Sequence, residues 1–191
     1  MAKLIIICGP SGVGKKTIYH DIIKQPKYNC VYSVSMTTRK KRKDEKDGKD
    51  YFFVNKKQFM QMVNQNRMLE YTEYIGNLYG TPKTFIYNKI KKGKNIILEI
   101  EIDGLKQILA NNFLQKKDLL TIFIQPANFI DLKKRLILRH TEKLTIIKKR
   151  IQQAKKEMKA KKLFQYVITN KIVEEAKKEL ISIFNKELLK K

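Results

Sequence analysis

Apolar residues along this chain fall into two alternating rhythms. Short continuous runs at 3–8, 95–100 and 119–124 are rich in Ile and Leu, as strands of a parallel sheet covered on both faces are, and 165–169 reads as a fourth strand. After them come helical spacings. Val173, Ala176, Leu180, Ile183, Phe184 and Leu188 form one stripe of a C-terminal helix, expected to pack on the sheet. Ile147, Ile151, Ala154 and Met158 repeat that spacing among Lys and Arg, which predicts a mobile, half-exposed helix. Strand then helix, repeated, is the order of an open α/β sheet.

The middle third has another texture. Residues 51–54 and 69–74 read as short strands of an antiparallel insert. A helix between them is predicted to be capped by Asn55, with Phe59, Met62 and Val63 facing inward. An inserted subdomain is therefore expected at 35–83. No internal repeat is visible, and the one charge-dense patch, 39–50, mixes Lys and Arg with Asp and Glu.

Composition sharpens the picture. The 191 residues suit about one ordinary domain, with a hydrophobic fraction of 42%, so the chain is not a disordered basic tail. Lys and Arg number 42 against 18 acids, a formal charge of +24. Such an excess points to phosphates, in nucleic acid, an anionic membrane or small substrates. The two cysteines, Cys8 and Cys30, make no disulfide framework and are expected to be buried thiols in a reducing compartment. The apolar run at 4–8 is too short for a signal-peptide core or a bilayer span. A cytoplasmic protein is expected.

Candidate chemistry begins at Gly9-Pro10-Ser11-Gly12-Val13-Gly14-Lys15. This matches the first seven positions of G-x-x-x-x-G-K-[ST], directly after a predicted strand and before a helical pattern. The glycines let the loop wrap an anion with its backbone N–H groups, and Lys15 reaches toward the β and γ phosphates of a nucleotide. Lys16 departs from the motif, standing where a hydroxyl would reach Mg²⁺; Thr17 follows one place later. Either Thr17 substitutes, or the ATP phosphates and water hold most of the metal, which suits a cation that keeps its hydration shell.

Downstream, Ser33-Val34-Ser35-Met36-Thr37-Thr38-Arg39 runs through Arg42, Glu45, Gly48 and Asp50 to Tyr51. This stretch resembles guanylate kinase, whose members carry S-x-S-x-T-T-R-x-P-R-x-G-E-x-x-G-x-D-Y. The likeness continues through Glu70, Gly76-Asn77-Leu78-Tyr79-Gly80-Thr81, Arg135, Arg139-His140-Thr141-Glu142, Arg150 and Asn170, in order, over essentially the whole chain. It implies an α/β fold: a P-loop NTPase-type parallel sheet flanked by helices, with an inserted mixed α+β GMP-binding subdomain and a helical lid. The expected division is a core of 1–34, 84–126 and 164–191, a GMP subdomain of 35–83 and a lid of 127–163.

The implied activity is reversible transfer of the γ-phosphoryl group from Mg·ATP to GMP or dGMP. Lys15, Arg39, Arg135, Arg139 and Arg150 are the catalytic candidates, since phosphoryl transfer is mostly positioning and charge stabilisation. ATP is expected on Gly9 through Gly14, Lys15, Lys16 and Thr17, with Asn170 in the same set and Arg139 beside its adenine. For GMP the resemblance implies Arg39, Arg42, Tyr51 and Tyr79 at the phosphate, Arg being suited to planar oxyanion contact. Guanine offers two adjacent donors, N1–H and the exocyclic amine. Glu70 matches the carboxylate that accepts both, helped by Ser35, Gly80 and Thr81, and adenine would leave it buried and mismatched. Glu45 is expected to orient Arg39. Glu99 and Glu101 stand where the family usually has Asp, and Asp103 where it has Gln; the two glutamates join the GMP set, and Glu99 and Thr17 are metal candidates, Glu99 through water.

Other departures lie in the charged patch, Lys41 for Pro and Asp44 for Gly, which imply altered loop dynamics. His140 replaces a glycine, and both it and His20, on the helix after the phosphate loop, are expected to do no catalysis. Two rival classes remain open at this point. A catalytically silent binding module would tend to lose Lys15 and its loop, which this chain keeps. A nucleic-acid binder would interleave aromatics with Lys on one face, and here Phe and Tyr fall at core or substrate positions; neither specific nucleic acid nor a membrane is expected as partner.

Overall fold

A computed structural model of the chain describes residues 2–74, 76–111, 113–138 and 144–189. In order these form β1 (Leu4–Cys8), α1 (Lys15–Tyr19), β2 (Cys30–Tyr32), β3 (Ser35–Thr37), β4 (Tyr51–Phe53), α2 (Lys56–Asn64), β5 (Met68–Tyr74) and β6 (Asn77–Pro82). There follow α3 (Lys83–Lys91), β7 (Asn95–Glu99), α4 (Ile102–Ala110), β8 (Leu119–Pro126), α5 (Phe129–Leu138), α6 (Leu144–Met158), β9 (Tyr166–Asn170) and α7 (Val173–Leu188). A five-stranded parallel sheet has the order β2-β7-β1-β8-β9, and a four-stranded mixed sheet the order β4-β3-β6-β5. Contacts divide the chain into two units, one of Met1–Leu4 and Val31–Leu119, the other of Ile5–Cys30 and Leu120–Lys191.

In the second unit, β1 and β8 are almost wholly buried, as their unbroken apolar runs require. β9 pairs with β8 in parallel, Ile124 opposite Ile168. The C-terminal stripe lies inward as its spacing predicts: Ala176, Leu180, Ile183 and Phe184 are buried. Phe184 meets the edge of Tyr28 at 5.3 Å, and the Tyr28 hydroxyl donates to Asn185 Oδ1 at 2.8 Å. Glu174 and Glu175 occupy the first turn of α7 and Lys186 the last, each complementing the helix dipole. On α6 Ile147 and Ala154 are buried, while most of its lysines are exposed.

The first unit carries the insert. Asn55 caps α2 through a reciprocal pair, its Oδ1 accepting from Gln58 N while Gln58 Oε1 accepts from Asn55 N. Phe59 is fully buried, and Met62 and Val63 are half-buried. β5 and β6 pair antiparallel, as do β3 and β6, but β3 and β4 pair in parallel. The expectation of an antiparallel insert thus holds only in part. Residues 38–50 supply the dozen or more residues that a parallel crossover needs and a hairpin does not.

Cys8 is buried, and burial pushes the half-buried Cys30 thiol up to about 12, as inert structural thiols would be. The helix after the phosphate loop stops at Tyr19, with His20 as its C-cap, so His20 is not inside that helix. It is an exposed residue 3.1 Å from Asp21. No helix among the described residues is long and apolar enough to cross a membrane.

Candidate active site

In the second unit, β1 delivers the chain into the phosphate loop. Gly9, at φ 144°, lies so close to β8 that a Cβ would collide with the Ile124 carbonyl. Gly14 is the N-cap of α1 at φ 93°, a left-handed conformation suited to glycine. Lys15 Nζ donates to Gly9 O at 2.6 Å and to Pro10 O at 3.4 Å. Its ammonium thus lies along the loop, where a phosphate oxygen would be a stronger, charge-assisted acceptor. Lys16 and Thr17 are exposed.

Three residues distant in sequence converge on this loop. Asn170, at the end of β9 and 1% exposed, donates from Nδ2 to Val13 O at 2.7 Å. Arg135, on α5, donates from Nη1 to the same carbonyl at 3.2 Å and from Nη2 to Asn170 O at 3.3 Å. Two donors use both lone pairs of the Val13 carbonyl. Arg150, on α6, donates from Nη1 to Ser11 Oγ. Asn170 Oδ1 is buried and has no hydrogen-bond partner among the described residues. Arg139 and His140 lie outside the described residues.

The first unit builds a second site. Thr37, fully buried, donates its hydroxyl to Leu78 O at 3.0 Å and accepts from Arg39 N at 3.1 Å. Leu78 N donates to Thr38 Oγ1 at 2.9 Å, so both threonines fix the backbone that presents Arg39. The Arg39 guanidinium donates to Glu45 Oε1 at 2.7 Å and to Lys40 O at 2.8 Å. Glu45 Oε2 accepts from Arg42 N at 2.9 Å. The hydrogen bond between them holds Arg39 above its ordinary value and Glu45 below. Arg39 also stands 5.6 Å from the Tyr51 ring, which meets Tyr79 edge-on at 6.0 Å. Burial raises Tyr51, with the charge of Glu99 acting in the same direction. Arg39, Arg42, Tyr51 and Tyr79 therefore lie around one cationic, phenol-bearing corner, with the Arg42 side chain exposed.

Glu70 is 3% exposed, and Thr81 Oγ1 donates to its Oε1 at 2.6 Å. Ser35 Oγ is 3.4 Å from Thr81 Oγ1. Burial pushes the Glu70 carboxyl up to about 7, against the opposing hydrogen bonds from the Thr81 side chain and backbone. Gly80 packs beside this pair, where a Cβ would meet Glu70 O at 2.8 Å and Phe59 Cζ at 3.1 Å. Ser35, Glu70, Gly80 and Thr81 thus come together as a buried acceptor with its own donor.

Glu99, at the end of β7, is half-buried. Glu101 is exposed and is the N-cap residue of α4, its carbonyl accepting from Leu105 N at 3.1 Å. Asp103 is exposed and pairs with Lys106 at 2.9 Å. Among the described residues no three His, Cys, Asp or Glu cluster as a metal site. The metal candidates named from the sequence, the exposed Thr17 hydroxyl and the half-buried Glu99 carboxylate, are oxygen donors of the kind that magnesium takes.

Some structural residues gave no sequence signal. Asp50 Oδ2 accepts from Lys46 N at 2.7 Å and Asp47 Oδ1 from Phe53 N at 2.9 Å, so acids of the charged patch close its loop. Gln107, on α4, grips Tyr71 next to Glu70 from 36 positions away. No local pattern in the sequence marks either contact.

Residues 1–187 match the family model described as guanylate kinase. The chain is 41% identical over 189 residues to a guanylate kinase of Malacoplasma penetrans, covering 99% of this chain and 95% of that one. It is 40% identical over 185 residues to a guanylate kinase of Mycoplasma mycoides subsp. mycoides, covering 97% of this chain and 61% of the longer relative. Among solved structures, that of guanylate kinase from Anaplasma phagocytophilum superposes with a TM-score of 0.75 at 28% identity, covering 99% of this chain and 87% of that one.

Proposed function

This chain belongs to the guanylate kinase family and carries out ATP-dependent phosphorylation of GMP to GDP, and we propose the following assignment of its residues to that reaction. Gly9 through Gly14, Lys15, Lys16 and Thr17 bind the ATP phosphates, with Lys15 turning from the loop carbonyls to the β and γ groups. Asn170 supports the ATP site through the phosphate loop, where it donates to Val13 O, and Arg139 flanks the adenine. Arg39, Arg42, Tyr51 and Tyr79 bind the GMP phosphate, and Glu45 orients Arg39. Ser35, Glu70, Gly80 and Thr81 read guanine, with Glu99 and Glu101 near the GMP sugar and phosphate. The core, GMP subdomain and lid follow the division 1–34 with 84–126 and 164–191, then 35–83, then 127–163.

A GMP phosphate oxygen attacks the γ phosphorus, the bond from γ phosphorus to the bridging oxygen breaks, and ADP leaves with the electron pair. No covalent enzyme intermediate is needed, and the step is reversible. Lys15, Arg39, Arg135, Arg139 and Arg150 neutralise the charge that the two phosphates bring together. Thr17, and Glu99 through water, are the residues that would hold a magnesium ion, which when bound with ATP would supply charge screening of its phosphates. Reaction with dGMP and a cytoplasmic site of action complete the reading.

The observation that carries the choice of acceptor is the buried Glu70 carboxylate with Thr81 fixed on one oxygen. Carboxylate oxygens are acceptors only, so they favour the two donors of guanine and oppose adenine, which presents an acceptor at N1. A coupled assay of ATP consumption with GMP, dGMP, AMP and UMP tests this. GMP and dGMP are expected to turn over and AMP and UMP to fail; comparable turnover with AMP overturns the role of Glu70. Absence of any GMP-dependent ADP formation in folded protein would favour a silent binding module instead.

A further inference from the structure

Helix α4 has a glycine in its first turn, where glycine weakens a helix relative to alanine. Gly104 is not in the left-handed region, so backbone freedom does not account for it. Space does. A Cβ at 104 would stand 2.7 Å from Glu70 Oε2 and 3.3 Å from Glu70 Cδ, inside the closest approach of real atoms. Gln107 lies three residues on, over the same face of the helix. Its Nε2 donates to Tyr71 O at 2.7 Å and its Oε1 accepts from Tyr71 N at 3.1 Å.

Tyr71 follows Glu70 on β5, the last strand of its sheet. Gln107 therefore satisfies two edge groups as a further strand would. Glu70 is held from three sides: Thr81 on Oε1, the bare Cα of Gly104 beside Oε2, and Gln107 on the adjoining backbone. A carboxylate that must accept two adjacent donors at once tolerates little displacement, because losing the plane of the pair loses both bonds.

We propose that Gly104 and Gln107 are positioning residues that set the Glu70 carboxylate in register with guanine, Gly104 by leaving room for Oε2 and Gln107 by pinning Tyr71. This rests on the assignment of Glu70 to the base. Substitution at either place displaces the carboxylate without touching the ATP site, so the loss falls on KM for GMP.

The test compares GMP with IMP, which keeps N1–H but lacks the exocyclic amine, in Gly104→Ala, Gln107→Leu, Glu70→Gln, Glu70→Asp and the Gly104→Ala/Glu70→Asp double variant. Gly104→Ala is expected to lower kcat/KM for GMP roughly tenfold to a hundredfold, mostly through KM. IMP should suffer less, so the preference for GMP over IMP collapses while KM for ATP holds. Gln107→Leu, similar in size and lacking both hydrogen bonds, should narrow the same ratio. Glu70→Asp withdraws the carboxylate by one methylene and makes room for the new methyl, so the double variant should lose less activity than the two single losses multiplied.

Unchanged KM and GMP-to-IMP ratio in Gly104→Ala and Gln107→Leu would overturn the proposal, whatever happens to the melting temperature. If Gly104→Ala fails to fold, the ratio in Gln107→Leu decides alone. If Glu70→Gln itself leaves the ratio intact, the assignment of Glu70 fails first. If Glu70→Gln collapses it and the two α4 variants do not, only the positioning role fails.

Discussion

Replacing Thr81 by valine removes a hydroxyl from a fully buried place while keeping the shape of the side chain, and the consequence falls on a proton. Thr81 Oγ1 donates to Glu70 Oε1 at 2.6 Å, and burial holds that carboxyl at about 7 against an ordinary 4.5. A hydrogen bond to a charged group contributes about 1.5–3 kcal/mol. At 1.36 kcal/mol per unit, its loss lifts the carboxyl by roughly 1–2 units. Only the ionised form accepts both guanine donors; the acid turns an O–H toward them. Wild-type kcat/KM for GMP should therefore decline about tenfold per unit as pH falls below a break near 7. In Thr81→Val the break moves up to about 8–9, and at pH 8 ionisation alone costs roughly twofold to tenfold.

Profiles of kcat/KM from pH 6 to 9, at saturating ATP, read this directly. Glu70→Gln is the control, since any remaining bend belongs to the nucleotide. A Thr81→Val profile that breaks at or below the wild-type pH refutes the reasoning. The same group sets a stability slope. Between pH 4.5 and about 7 the folded carboxyl holds a proton that the unfolded one has lost. Stability is thus greatest at the acid end of that window and falls by roughly 3 kcal/mol as pH rises through it.

Lys15→Ala should lower kcat by roughly 10²–10³ with little change in melting temperature; an active variant sinks the phosphate-loop mechanism. Asn170→Ala removes a buried donor from Val13 O. It should destabilise the protein by about 1–3 kcal/mol in urea denaturation and raise KM for ATP while sparing KM for GMP. Arg135→Lys keeps the charge but not the fork that spans Val13 O and Asn170 O, so kcat should fall although net charge is constant; full activity would show that charge alone suffices.

What the sequence made legible follows the range of each interaction. β1, β7 and β8 stand out because burial on both faces writes a continuous apolar run into the chain. β2, β3 and β4 have three residues each, too few for a period to register. The phosphate loop is local chemistry at fixed spacing, and so was readable. Glu70 was named by resemblance, but its contact with Thr81 depends on the pairing of β5 with β6, whose register shifts between Met68 and Glu70. A slip of one residue there would turn the carboxylate to the other face. The convergence of Arg135 and Asn170 on Val13 spans 122 and 157 positions, and no local pattern encodes it.

The charge of +24 divides along a chemical line. The chain has 36 Lys and only six Arg, yet five of those six, Arg39, Arg42, Arg135, Arg139 and Arg150, fall in the proposed phosphate sites. The sixth, Arg67, hydrogen-bonds Gln65 on the surface. Where the side chains are described, Arg39, Arg135 and Arg150 are fixed by acceptors of the protein itself, on Glu45, Val13 and Ser11. Among the lysines, only Lys15 and Lys16 are assigned to those proposed sites. A guanidinium can hold a protein oxygen with one edge and offer another to a phosphate, whereas an ammonium is a hydrated point charge on a flexible stem. The lysine excess raises the long-range potential, which salt screens beyond about 8 Å. On the proposed assignment, the arginines that protein acceptors hold, Arg39, Arg135 and Arg150, supply the geometry that phosphoryl transfer requires.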